Sequence, residues 1–187
     1  MADLSIHETY HVERGALKFR ELILYVAGKS EADEYFGATK LNKILYYSDF
    51  RAFSRLGSPI TGVRYFKLPQ GPAPKSLLPV QKALVEEGAI KVEERPFPGG
   101  KIQKRPIALR KPALSLFTGD ELAIVDEVIE DLWEETAQQV SDASHDVRWR
   151  AVNMRDAIPY EFVHLSNDQV TTEDRNRTEE LARRFGW

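Results

Sequence analysis

A predominantly helical α+β fold, with about five helices, a short strand and a small antiparallel β-hairpin, is what this sequence predicts. Three features predict it. Several segments repeat apolar residues at spacings of three and four between glycine or proline breaks. Residues 89–95 and 105–110 read as paired strands around a Pro96–Gly100 tip. Thr118-Gly119-Asp120-Glu121 carries a helix-start signature.

The elements follow in order. Residues 1–13 are polar and without period, and read as a flexible or loosely docked arm. A first helix is predicted over about 14–28, on Phe19, Leu22, Ile23 and Val26, with Gly28 as its C-terminal cap. A second runs over about 39–56, with Thr39 as N-cap and Gly57 past its end. Its apolar residues, among them Leu41, Ile44, Tyr46, Tyr47 and Phe50, cover nearly every face, as in a helix central to a core. Val63, Tyr65 and Lys67 alternate as a short strand, and Pro69, Gly71, Pro72 and Pro74 then impose a stiff loop. A third helix covers about 75–87, with Pro79 in its first turn. The fourth follows Thr118 and places Leu122, Val125, Ile129, Leu132 and Trp133 on one stripe, with Phe117 and Leu122 as hydrophobic staple. A shorter helix is predicted around 149–152, an extended piece over Ile158–Leu165, and a polar last helix from Thr172 to Arg184.

The 187 residues suffice for one substantial core. The expected organisation is an arm over 1–13, a domain over 14–165 and a helical extension over 166–187. No cysteine is present, so disulfides, thiolate nucleophiles and Cys-type zinc sites are excluded. The first residues do not read as a signal peptide, and no stretch approaches the roughly 18 apolar residues of a membrane span. A cytoplasmic protein without membrane attachment is expected. The net charge of −3 argues against non-specific nucleic-acid binding. Charge is unevenly distributed: residues 91–111 carry a balance of +5, whereas 118–146 hold ten acids and no lysine or arginine. Such an acidic face is either a solvated helix surface or a dock for a basic partner.

Few strings point to chemistry. His7-Glu8-Thr9-Tyr10-His11 matches the H-E-x-x-H pattern of zinc peptidases. Its context is poor, with no upstream strand to align a substrate and no evident partners to orient the imidazoles. Ser144-His145-Asp146 sets three triad residue types side by side. Triads assemble in space, so a local turn or helix start is the better reading. Phosphate-binding and nucleophile-elbow motifs are absent. The third helix followed by a basic hairpin has the outline of a winged-helix reader, but Lys75, Gln81 and Lys82 are all it offers to bases. The aromatic cluster of Tyr46, Tyr47, Phe50, Phe53, Tyr65 and Phe66 reads as core, with some members able to anchor an interface.

Thr39 to Phe50, TKLNKILYYSDF, resembles a K-L-x-K-L-L-Y-[FY]-x-D-F segment. Gly57 to Gly62 with Tyr65 resembles G-x-P-I-T-G-x-x-Y. Gln70 to Pro74 is similar to Y-G-P-V-P, with Gln70 where tyrosine is usual and Ala73 where valine is. Ser144-His145 with Trp149 resembles a late S-H-x-x-x-W segment. Together, in order over about residues 14–165, these resemble the Panacea (SocA-like) antitoxin domain of bacterial toxin–antitoxin pairs.

The resemblance implies a non-enzymatic antitoxin without cofactor or metal, encoded beside a toxin that it neutralises by direct binding. It implies a translation-inhibiting partner, such as a small-alarmone-synthetase-like enzyme. Hand-over of the toxin to a protease and self-association stay open. On this reading Lys43, Tyr47, Asp49, Arg51 and Tyr65 are expected as interface anchors or their scaffold. Glu127, Glu130 and Glu134 would steer a basic toxin. Lys40, Leu41, Gly71, Pro72, His145 and Trp149 are expected as motif residues with structural roles. The alternatives are a winged-helix regulator of its own operon and a zinc peptidase built on His7, Glu8 and His11.

Overall fold

The computed structural model describes residues 10–97, 99–165 and 172–186. Helix α1 (Gly15–Lys29) and helix α2 (Ala38–Leu56) form the centre. Strand β1 (Tyr65–Phe66) pairs antiparallel with β2 (Ala73–Pro74). Helix α3 (Leu77–Glu86) leads into the hairpin of β3 (Ile90–Phe97) and β4 (Lys101–Ala108). A 3-10 turn at Leu114–Leu116 precedes α4 (Gly119–Asp131), α5 (Ala137–Ala143) and α6 (Val147–Arg150). A second 3-10 turn at Tyr160–His164 and helix α7 (Thr172–Phe185) follow. The predominantly helical α+β class is therefore correct. Among the described residues no helix is long and apolar enough to cross a membrane.

Apolar residues on all sides put α1 in the middle: Phe19 and the whole run Leu22–Ala27 are buried. Its end differs from expectation. Gly28 lies inside the last turn, and the chain leaves at Ser30, whose amide donates to the Val26 carbonyl. The buried carbonyls of the loop that follows need donors, and here they come from a distance. Arg105 of β4, 1 % exposed, donates to the carbonyls of Ser30, Glu31, Asp33 and Phe36. A buried guanidinium at a helix C-terminus also meets the negative end of the helix dipole. Arg105, a cation of the basic 91–111 segment, is thus an internal clamp.

Helix α2 starts one residue earlier than predicted, and Gly37 rather than Thr39 is its N-cap. A Cβ at Gly37 would lie 3.0 Å from the Gln103 side chain and 3.2 Å from the Lys104 carbonyl oxygen, so glycine admits β4 there. Gly57, at φ 74°, ends the helix as expected. Packed against α1, α4, α5 and the 160–164 turn, α2 buries residues on every side, including Lys40, Lys43 and Asp49.

The proline-rich segment after β1 does more than stop a strand. It folds back and supplies β2, in register Tyr65 to Pro74 and Phe66 to Ala73. The hairpin is longer than predicted, and Gly99 and Gly100 turn it with φ of 79° and 73°. Thr118 and Glu121 form the predicted capping box. The buried stripe of α4 is Ile124, Val125, Val128 and Ile129, because the helix ends at Asp131 before Leu132 and Trp133. A second capping box, Thr136 with Gln139, starts α5, an element the sequence reading missed. Asp146 caps α6 through the Trp149 amide, so Ser144-His145-Asp146 is local structure. The expected extended piece at 158–165 is instead a 3-10 turn after Pro159, held by the Tyr160 side chain.

Two expectations about surfaces change. The basic segment is partly neutralised: Arg110 grips Glu21 through two bonds of 2.6 and 2.8 Å, and Lys91 and Arg95 both pair with Glu93. Just before α3, Lys75 lies over the Phe66 ring; on the helix Lys82 faces Glu86, while Leu78 and Val85 are exposed. That outward face sets Leu78 and Val85 beside a single cation, Lys82, unlike a base-reading helix.

Candidate functional site

The motif residues converge on two polar clusters along α2. Lys40, Lys43 and Tyr47 follow at helical spacing toward the chain between Trp133 and Trp149. Tyr46, Asp49, Phe50 and Phe53 turn toward the 60–65 loop and Tyr160.

Asp49 anchors the second cluster and is fully buried. Its carboxylate accepts from the Thr61 amide at 2.8 Å, from the Thr61 hydroxyl, and from the Tyr65 hydroxyl at 2.8 Å. The Tyr160 hydroxyl approaches to 3.4 Å and also donates to the Val63 carbonyl at 2.7 Å. Burial pushes Asp49 up to about 6, against the opposing pull of the Thr61 and Tyr65 donors. Tyr65 sits among the rings of Tyr46, Phe50 and Tyr160. Burial raises its hydroxyl well above the ordinary tyrosine value.

The first cluster holds two buried lysines. Lys40 forms an ion pair of 2.5 Å with Asp33 and donates to the Trp133 carbonyl at 2.6 Å. Lys43 donates to the Pro72 carbonyl at 3.0 Å, and burial lowers it to about 7. Gly71 stands beside it at φ 89°, where a Cβ would overlap the Ser144 hydroxyl and lie 2.6 Å from the Lys43 ammonium. Ser141 donates to the Gln70 carbonyl and Ser144 to the Ser141 carbonyl. His145 stacks on Trp149 with ring centroids 4.1 Å apart. The Trp149 indole donates to the Leu68 carbonyl at 3.0 Å, and the Lys67 ammonium lies over its ring. The 67–74 loop is thus held by Lys43 from below and by residues 141–149 from the side.

Against that geometry the expected interface residues divide. Asp49, Tyr65 and Lys43 lie in the interior, at 0 %, 1 % and 2 % exposure, and cannot themselves meet a partner. Of the two roles expected of them, anchor or scaffold, their burial fits the scaffold. Tyr47 is half-buried, and burial pushes its hydroxyl up to about 12. Arg51 lies between helices, paired with Asp131 at 2.7 Å and Glu127 at 3.5 Å, and Arg55 adds a bond to Glu127. Glu130 and Glu134 are exposed. The acidic stretch is partly neutralised, since Asp126 also takes Tyr25 and Lys29. Lys40, Leu41, Gly71, Pro72, His145 and Trp149 all take packing roles.

These loops and helices are what a sequence profile can register. The profile of the family described as antitoxin SocA-like, Panacea domain, matches residues 41–150. The chain belongs to this family. The matched stretch opens in the first turn of α2 and closes at the end of α6, so this Panacea domain takes in Lys43, Asp49, the 57–74 loop and the Ser144–Trp149 segment. Outside it lie α1, α7 and Tyr160. No curated protein and no solved structure matches the chain.

Several residues of the Panacea network escaped the sequence reading. Thr61 sits inside the quoted P-I-T-G string, yet nothing linear ties it to Asp49. Tyr160 approaches Asp49 from 111 positions away, and Asp33 and Arg105 carry no motif at all. His7 and Glu8 fall outside the described residues. His11 is exposed, and among the described residues no group of histidines and acids is placed to hold a metal.

Proposed function

We propose that this chain neutralises a cognate toxin by direct protein–protein binding, in the cytoplasm and without catalysis of its own. The observation that carries the reading is the match of residues 41–150 to an antitoxin domain. The toxin is a translation-inhibiting enzyme, such as a small-alarmone-synthetase-like protein, encoded beside this chain.

The arrangement of the domain supports the proposal physically. Buried hydrogen bonds from Lys43, Asp49, Tyr65 and Trp149 hold the loops that flank α2. A surface fixed before encounter loses less conformational freedom on binding and so binds more tightly. Tyr47 and Arg51 stand at the edge of that scaffold, and Arg and Tyr are residues that anchor interfaces. Glu127, Glu130 and Glu134 give α4 and its C-terminal end an acidic exposed edge that attracts a basic, RNA-handling toxin.

Co-expression tests the proposal. The neighbouring open reading frame is induced with and without this chain, growth is followed, and the pair is co-purified. Growth arrest relieved by this chain, with a stable complex, is the expected result. Arrest without rescue, or no arrest, would remove the antitoxin reading.

A further inference from the structure

A groove of about 690 Å³ opens at the N-terminal end of α2, between the tip of the β3–β4 hairpin and the first turn of α5. Its apolar wall is built from Tyr35, Phe97 and Ile102. The rings of Tyr35 and Phe97 meet edge to face at 6.2 Å. Ile102 is 63 % exposed, an aliphatic side chain held out into water beside two aromatic rings. Apolar groups displayed in this way are what interface cores are made from.

The charge around this wall has one sign. Lys101 and Lys104 line it, and among the described lining residues there is no aspartate or glutamate. Lys104 reaches Glu94 only at 3.7 Å, with both side chains exposed, a contact of little energetic weight. Lys40 also lines the groove, but Asp33 cancels its charge. No side chain caps α2 at Gly37, so its first amides add partial positive charge to the same end. A positive, apolar-walled groove on a chain of net charge −3 is complementary to an acidic ligand. A nucleotide fits it less well. The sequence has no G-x-x-x-x-G-K loop to gather amides around a phosphate, and no arginine lines the groove.

We propose that this groove takes an extended acidic segment of the toxin. An apolar side chain of that segment seats against Phe97 and Ile102, and flanking carboxylates meet Lys101 and Lys104. The inference rests on the antitoxin reading. It places the anchoring contact at the hairpin tip and the α2 N-terminus, away from the acidic edge of α4 that steers the encounter.

The test uses the full chain and the product of the neighbouring open reading frame. Affinity is measured for the wild type, Lys101→Glu/Lys104→Glu, Ile102→Asp, and a control, Leu78→Asp, on the outer face of α3. All four positions are exposed, so unchanged thermal melting accompanies each variant. The groove variants are expected to weaken binding about tenfold or more, with the control within about twofold. A photo-crosslinking residue at position 102 is expected to capture an Asp/Glu-rich peptide of the partner. If the wild type binds and the groove variants bind equally well, the groove assignment fails and the antitoxin reading stands. If the wild type neither binds nor rescues growth, the antitoxin reading itself fails and the groove assignment with it. Binding of GTP by the wild type, lost in Lys101→Glu/Lys104→Glu, would assign the groove to a phosphate ligand and overturn the polypeptide.

Discussion

Asp49 and Thr61 close a loop on α2: the carboxylate accepts both the backbone amide and the side-chain hydroxyl of the threonine, with no exposure to solvent. Removing the carboxylate leaves a buried amide without its acceptor. Asp49→Ala is expected to cost about 2–4 kcal/mol in denaturant unfolding. Asp49→Asn keeps one acceptor oxygen and costs less. Burial raises Asp49 to about 6 from an ordinary 3.8, so the native state keeps a proton that the unfolded chain has released. Its contribution is therefore full below about pH 4 and is lost as pH rises through 6. Subtracting the Asp49→Asn stability profile from that of the wild type should reveal a fall of about 2–3 kcal/mol across that window.

Lys43 gives the opposite slope. Burial lowers its amine to about 7 from 10.5, so the unfolded chain binds the extra proton between those values. Stability linked to Lys43 rises with pH from about 7 to 10. Lys43→Met removes the burial penalty and loses the bond to Pro72. A net gain of about 1–2 kcal/mol near pH 6 is expected, with the high-pH rise abolished. A variant less stable than the wild type at pH 6 would contradict this.

Gly71 is held to glycine twice over, by φ 89° and by the Lys43 and Ser144 side chains that crowd its missing Cβ. Gly71→Ala is expected to destabilise by about 2–4 kcal/mol in thermal or denaturant unfolding. Gly57→Ala meets no neighbour within 4 Å, so it carries only the backbone cost of its φ of 74°, about 1 kcal/mol.

The Lys40–Asp33 pair is buried on both sides, at 0 % and 3 % side-chain exposure. Lys40→Met strands the Asp33 carboxylate and is expected to cost about 3–5 kcal/mol. The double variant Lys40→Met/Asp33→Asn should recover part of that loss. A double variant equal to the sum of the singles would show that the two charges do not act as a pair.

Charge reversal of Glu127, Glu130 and Glu134 to lysine tests steering. Glu127 itself is exposed and pairs with a half-buried Arg51 and an exposed Arg55, so stability should change by less than about 1 kcal/mol. Association with the toxin should slow about tenfold at low salt, and its salt dependence should flatten. An unchanged association rate in stopped-flow mixing would remove the steering role.

Local rules determined much of this protein. The period of apolar residues placed α1 to α4 within about two residues, because a helix shows its buried side as a repeat along the chain. Thr118, Glu121 and Gly57 marked ends correctly, since capping is satisfied within four residues. The strings around Lys40–Phe50, Gly57–Tyr65 and Gln70–Pro74 were enough to give the family. What tertiary structure alone decided was which polar residues lie inside. Nothing adjacent to Asp49, Lys43 or Arg105 announces burial, and by type each belongs on the surface. Their partners, Thr61 and Tyr160 for Asp49, Pro72 for Lys43, and the carbonyls of 30–36 for Arg105, arrive only when the chain folds back. The same holds for the groove, whose walls come from four separate segments. A buried charge is tolerable only when distant groups satisfy it, and that condition is met in space, not along the sequence.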